Sequence, residues 1–273
     1  MKIFVSVDLE GIWGIVSKDH VSNKTKEYDR VRKIMTQEAN WVIEKAFNKG
    51  ATEVIVNDSH DTMDNLLIDK LHPKAQLISG SPKPLSMMEG IDDTFDGAIY
   101  IGYHARKGTN NGNFDHTYSG GTISSIKING KPVGESGINA GVCGYYDVPI
   151  LAISGDDKLA AQVKEEIGDV ETIIVKKAIS RYCSRNLSLE SVKKEYKDKL
   201  NKVFDNINKY PTVKYKGNIE MEIEFTLANM AEMAMLLPGV VRKKPTTIRI
   251  SSKDYLELFK MFRACLILGG TGK

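Results

Sequence analysis

The sequence predicts an α/β fold: a central, mostly parallel sheet flanked by helices, followed by a smaller C-terminal α/β portion. Three observations predict it. Short β-branched runs alternate with amphipathic helical stretches through the first half of the chain, the pattern of a sheet with helices on its faces. Those runs carry few polar residues, so they read as buried strands. Three of them end in side chains that can bind metal, and sheets of this class gather ligands at the carboxyl ends of their strands.

Taken in order, Ile3–Val7 is the first strand and Asp8 falls at its end. Residues 26–49 form a helix, because Tyr28, Val31, Met35, Ala39, Val42, Ala46 and Phe47 recur at three- and four-residue steps. Gly50 is a suitable stop for it. A second strand over residues 53–57 runs into Asp58, Ser59 and His60. A third over residues 97–103 runs into His104. Residues 105–121 are rich in Gly, Asn, Thr and Ser and read as a loop. Residues 122–128 and 131–133 form a hairpin about Asn129-Gly130, a pair that tolerates the left-handed backbone a tight turn needs. A helix starts near Ser136, a strand covers 148–154 and a helix covers 156–167. The later pattern differs: helix 189–207, strand 218–225, helix 226–236, strand 246–251 and helix 253–266. The organisation expected is a catalytic domain over residues 1–180, with residues 181–273 as a C-terminal portion or part of the same domain.

Composition narrows the function. With 38 basic and 35 acidic residues, the net charge of +3 gives no general pull toward nucleic acid. The three cysteines, Cys143, Cys183 and Cys265, are odd in number and widely spaced, which is not a disulfide framework. There is no apolar run of membrane-spanning length, and the apolar start is interrupted by Asp8 and Glu10, unlike a signal peptide. A reducing, cytoplasmic location is expected.

Five segments carry chemistry. In Ser6-Val7-Asp8-Leu9-Glu10-Gly11, two carboxylates lie two residues apart, on one face of an extended chain. Unpaired they would repel, and a cation resolves that repulsion; Glu10 could also be a solvated strand-end residue. His60 and His104 follow buried strands at equivalent positions, whereas His20 and His72 do not and read as ordinary surface or packing residues. Glu135, in Gly134-Glu135-Ser136, lies at a helix start, where it is either a ligand or a residue that complements the helix dipole. His116, in the polar loop, is a candidate general acid or base. Three carboxylates and two imidazoles exceed what one tetrahedral ion requires and suit a paired site. Zinc is the first choice on ligand type, with manganese or cobalt as alternatives.

Ser6–Gly11, together with the NDSH, GYHA, DHT and GES segments in their order, resembles the D-aminopeptidase family over most of the chain, best through residue 155. The resemblance implies a zinc-dependent aminopeptidase acting on short peptides with N-terminal D-residues. It implies two zinc ions per subunit bridged by Asp8, with Glu10, His60, His104 and Glu135 as the other ligands and His116 as the catalytic histidine. It also implies a homo-oligomer, a ring of ten subunits. Three other readings stand beside it. One is a metal-dependent phosphoester hydrolase, though Glu10 stands where phosphoaspartyl enzymes carry a second Asp. Another is an amidase using Cys143, whose helical setting favours packing. The last is a metal-binding assembly protein without catalysis.

Overall fold

The computed structural model describes residues 1–210 and 212–272. Its main sheet has seven strands: β1 (Lys2–Val7), β2 (Glu53–Asp58), β3 (Gln76–Ile78), β4 (Gly97–Ile101), β7 (Ile150–Asp156), β8 (Glu171–Ser180) and β9 (Cys183–Asn186). Their spatial order is β3-β2-β1-β4-β7-β8-β9. All neighbours run parallel except β9, which folds back on β8. The expected mostly parallel sheet is therefore present. β1 is followed by the long helix α1 (Lys26–Asn48), which returns the chain to β2 on one side, whereas β4 joins β1 on the other. The order reverses between β1 and β4, and such a switch point leaves a crevice outside the strand ends.

Five further strands form an antiparallel sheet in the order β11-β12-β10-β5-β6. They are β5 (Ile123–Ile128), β6 (Lys131–Pro132), β10 (Ile219–Phe225), β11 (Val241–Lys244) and β12 (Thr247–Ser252). Asn129 and Gly130 both take positive φ, 50° and 80°, in the β5–β6 turn, as the Asn-Gly signal requires. Residues from before and after position 180 contribute to both sheets.

The helices separate into two groups. On one face of the main sheet, α1 and α4 (Leu189–Asp205) cover Ile3, Val5, Val7, Ile99 and Ile101. On the other face lie α2 (Glu135–Tyr145) and α3 (Asp157–Glu166), while α5 (Ala228–Ala234) and α6 (Tyr255–Gly270) pack on the second sheet and α6 also meets α2. These share one apolar core with β5, β10 and β12, so the second sheet is fastened to the first through helices.

Four strands, β3, β8, β9 and β11, have no counterpart in the expected elements. β3 is three residues long and only partly buried. β8 contains the fully buried Lys176, which breaks an apolar run. β11 is the charged Arg242-Lys243-Lys244 stretch, placed on a sheet edge where its side chains stay largely exposed.

Candidate active site

The site grows from the carboxyl ends of β1, β2 and β4. Beyond Val7 the chain leaves the strand and turns over residues 8–15. Asp8 and Glu10 thus reach one cleft through a turn, not through the extended geometry expected of them. The Asp8 amide donates to the Ile101 carbonyl at 2.8 Å and the Gly11 amide to Gly102 at 2.7 Å, so the turn lies flat against the end of β4. That contact requires glycine: a Cβ on Gly11 would stand 1.9 Å from the Tyr103 carbonyl oxygen. Gly102, with φ +70°, ends β4 early and swings His104 toward the same space. On the far side of the turn, Lys176 Nζ donates to the carbonyls of Glu10 and Ile15, each at 2.6 Å. Below it, Ser6 Oγ bonds the hydroxyls of Ser59 at 2.8 Å and Tyr103 at 2.7 Å, tying the three strand ends together.

All five expected metal-binding residues, and His116, converge here. His60 Nδ1 lies 2.9 Å from Glu10 Oε2 and 3.4 Å from Asp8 Oδ1. His104 Nε2 lies 3.3 Å from Glu135 Oε1 and 3.6 Å from Asp8 Oδ2. Asp8 therefore stands between two clusters, with Glu10 and His60 on one side and His104 and Glu135 on the other. His116 stacks on His104, ring centroids 4.0 Å apart, and its Nε2 is 3.8 Å from both Glu10 and Glu135. Glu135 is the first residue of α2 and accepts the Tyr118 amide at 2.6 Å. Asp8, Glu10, His60, His116 and Glu135 line a cleft of about 390 Å³, and His104 is buried beside them.

The ring nitrogens are sorted by backbone carbonyls. His60 Nε2 meets the Val21 carbonyl at 3.0 Å, His104 Nδ1 the Ala105 carbonyl at 3.1 Å and His116 Nδ1 the Phe114 carbonyl at 2.8 Å. A carbonyl only accepts, so those nitrogens carry the protons. In the neutral imidazoles the opposite nitrogens then aim lone pairs at the carboxylates. This is how metal-binding histidines are usually oriented.

The electrostatics are those of a crowded anionic site. Burial, and then Glu10 beside it, pushes Asp8 up to about 8. Burial opposes charge on Glu10 and Glu135 as well and is the largest single influence, but the surrounding histidines together, His60 foremost for Glu10 and His104 for Glu135, lower both. In return, despite burial, the carboxylates hold His60 well above its usual value and His104 at about 10. His116 goes the other way, lowered by burial and by His104. Glu10 Oε2 and His104 Nε2 are buried without a hydrogen bond. Orphaned atoms of this kind, in a mixed carboxylate–imidazole set, fit divalent cations. A cation takes the lone pairs and relieves the repulsion that neighbouring carboxylates impose on Asp8. Asp8, Glu10 and His104, and likewise His104, His116 and Glu135, can each offer ligand atoms within 4.8 Å of one another.

The remaining candidates fall outside the cleft. His20 accepts the Val16 amide at 3.2 Å within its own turn, and His72 stacks on Phe47. Cys143 is buried in α2 against the Tyr100 hydroxyl, with burial holding its thiol at about 12, so it is not a nucleophile. Sequence reasoning missed Tyr118, which takes a positive φ of 57° and fixes Glu135, and Lys176, which braces the Asp8–Ile15 turn. It also missed Arg263 of α6, which lines the cleft. Only the unusual φ at Tyr118 is a local property, and no residue pattern announces it.

Known proteins of this type share the whole architecture. A D-aminopeptidase from Bacillus subtilis (strain 168) is 44% identical over 261 residues, covering 95% of this chain and 94% of that protein. The solved structure of a zinc-dependent D-aminopeptidase from Bacillus subtilis, described as a self-compartmentalizing protease, superposes with a TM-score of 0.95 at 43% identity. That match covers 99% of this chain and 98% of the other. The family model described as D-aminopeptidase matches residues 1–264, so nearly the whole fold, cleft included, falls within it. This chain belongs to the D-aminopeptidase family.

Proposed function

We propose that this protein is a zinc-dependent aminopeptidase that removes N-terminal residues, D-amino acids in particular, from short peptides. The observation that carries the reading is the convergence of Asp8, Glu10, His60, His104 and Glu135, with each imidazole held by a backbone carbonyl so that its other nitrogen faces the carboxylates. The relatives described as D-aminopeptidases support the reaction and its zinc dependence. Two ions per subunit are proposed because Asp8 offers one oxygen to the His60 side and one to the His104 side. Bound there, zinc would supply Lewis acidity and a water acidified toward neutral pH.

The chain's own groups do the rest. His116 is the proton carrier. Its Nδ1 is engaged by Phe114, and burial and His104 keep it neutral, so Nε2 is free to take a proton and pass it to the departing amine. Glu10 and Glu135, equidistant from that nitrogen, orient it. The phosphoester reading lacks such support, since no glycine-rich phosphate cradle is present. Assembly into a closed ring of ten subunits, working in the cytoplasm, is part of the proposal. The self-compartmentalizing relative supports an oligomer, and no described helix is long and apolar enough to cross a membrane.

The test is release of free amino acid from D-alanylglycine and L-alanylglycine by zinc-loaded protein, with a chelated control and an aryl phosphate alongside. Chelator-sensitive turnover of the D-peptide is expected. Phosphate release without peptide cleavage would overturn the reading. His116→Ala should keep its zinc and lose about a hundred- to ten-thousandfold in turnover; full activity in that variant removes His116 from the mechanism.

A further inference from the structure

Arg263 stands apart from the other residues lining the cleft. It projects from α6, which otherwise packs on α5, the second sheet and α2. Among the described residues it is the sole lysine or arginine lining the cleft, whose charged wall is otherwise carboxylate and imidazole. Its guanidinium lies over the Tyr118 ring, 5.5 Å from the centroid. Its Nε is buried and has no hydrogen-bond partner. No carboxylate of the described residues lies within ion-pair distance of it, although surface arginines such as Arg30 and Arg249 each have one.

A guanidinium is always charged and presents a planar fork suited to a carboxylate. Burying part of it without a partner is unfavourable unless a ligand supplies one. Tyr118 places that fork beside the catalytic groups: its ring carries the guanidinium and its amide holds Glu135. An extended dipeptide spans only about 7 Å, and the cleft has room for one. A short peptide brings one group that is always anionic at neutral pH, its C-terminal carboxylate. We propose that Arg263 binds that carboxylate and so restricts the enzyme to peptides short enough to place both ends in the cleft. The proposal rests on the aminopeptidase reading above and adds the means by which length is selected.

The experiment compares D-alanylglycine with D-alanylglycinamide, which differ only in the terminal charge, on zinc-loaded wild type, Arg263→Gln and Arg263→Lys. Wild type should prefer the free acid by about tenfold to a hundredfold in kcat/KM, mainly through KM, as expected for a charged hydrogen-bonded pair. R263Q should lose that preference, its kcat/KM falling much further on the free acid than on the amide, and R263K should restore part of it. A merely structural arginine would not move the acid-to-amide ratio. Wild type treating the two peptides alike would overturn the proposal without any variant. Equal loss on both peptides in R263Q would also overturn it and would place Arg263 at the reacting carbonyl instead. If wild type cleaves neither peptide, the aminopeptidase reading fails. Calorimetric titration of the zinc-loaded protein with both peptides then still decides the carboxylate contact, and equal affinities would reject it.

Discussion

Along β10, Ile219, Met221, Ile223 and Phe225 point inward and are buried, while Glu220, Glu222 and Glu224 alternate outward and stay half-buried. At the carboxyl end of β1, Asp8 and Glu10 are also buried, yet they are carboxylates facing two more titrating residues each. The two regions obey opposite rules. In the second sheet local pattern, burial and hydrogen bonding agree, which is the signature of a segment that exists to be stable. At the end of β1, polar groups are driven together against their own electrostatics, held by glycine contacts and by Lys176 from beneath. The difference teaches where chemistry lies: at the place where the fold pays in electrostatic repulsion, and where a cation converts that repulsion into binding.

The largest effect should come from removing the central carboxylate. Asp8→Asn should lower peptide hydrolysis by at least about a thousandfold and reduce bound zinc, because Asp8 stands between both clusters. The same change should make the metal-free protein more stable, since it deletes a carboxylate that burial and Glu10 already push up to about 8. Zinc content by atomic absorption and thermal melts with and without chelator measure both. A metal-free D8N that melts below wild type would break the contrast between the two regions.

Next comes the opposite experiment in the second sheet. Ile223 is fully buried between β5 and β12, so its neighbours are held by strand pairing and cannot close over a cavity. Ile223→Ala should destabilise by about 4 kcal/mol in denaturant titration and leave kcat unchanged in the folded fraction. Loss of kcat without loss of stability would mean that the second sheet acts on the site directly.

These two regions also differ in how far the sequence reveals them. The period-two pattern of β10 and the three-four period of α1 are physical requirements of half-buried elements, so they are legible residue by residue. Asp8, His60 and His104 were legible because each follows a buried strand, and Glu135 because it opens a helix. Their shared cleft follows from the strand order, which brings β2, β1 and β4 side by side. Lys176, Tyr118 and Arg263 were not legible. Each acts across long sequence separations, with contacts such as Lys176 to Glu10 spanning 166 residues. Nothing in their neighbours marks a lysine that will be buried or an arginine that will lack a partner. β8 was hidden for the same reason, since a buried lysine is indistinguishable in sequence from a solvated one.

Glu38 joins the two behaviours, and its effect is the smallest of the three. It lies on α1 among apolar neighbours, yet it accepts the Trp13 amide at 2.8 Å and so anchors the turn that carries Asp8 and Glu10. It also accepts the Tyr196 hydroxyl at 2.6 Å. Burial raises its carboxyl to about 7, above the ordinary 4.5. Between those values the folded protein holds a proton that the unfolded chain has released, so this group's contribution to stability falls as pH rises through the window. The full change is on the order of 3 kcal/mol, reached above pH 7. Glu38→Gln should remove that dependence without removing the contacts. The amide oxygen can still accept from Trp13, its nitrogen can donate to the Tyr196 oxygen, and the tyrosine hydroxyl can donate to Ser154 Oγ, already 2.9 Å away. Urea titrations of wild type and E38Q at pH 5 and pH 8 should therefore differ in slope with pH, with the variant gaining relative to wild type at the higher value. Identical slopes would place Glu38 with the well-satisfied residues of the second sheet, not with the strained groups around Asp8.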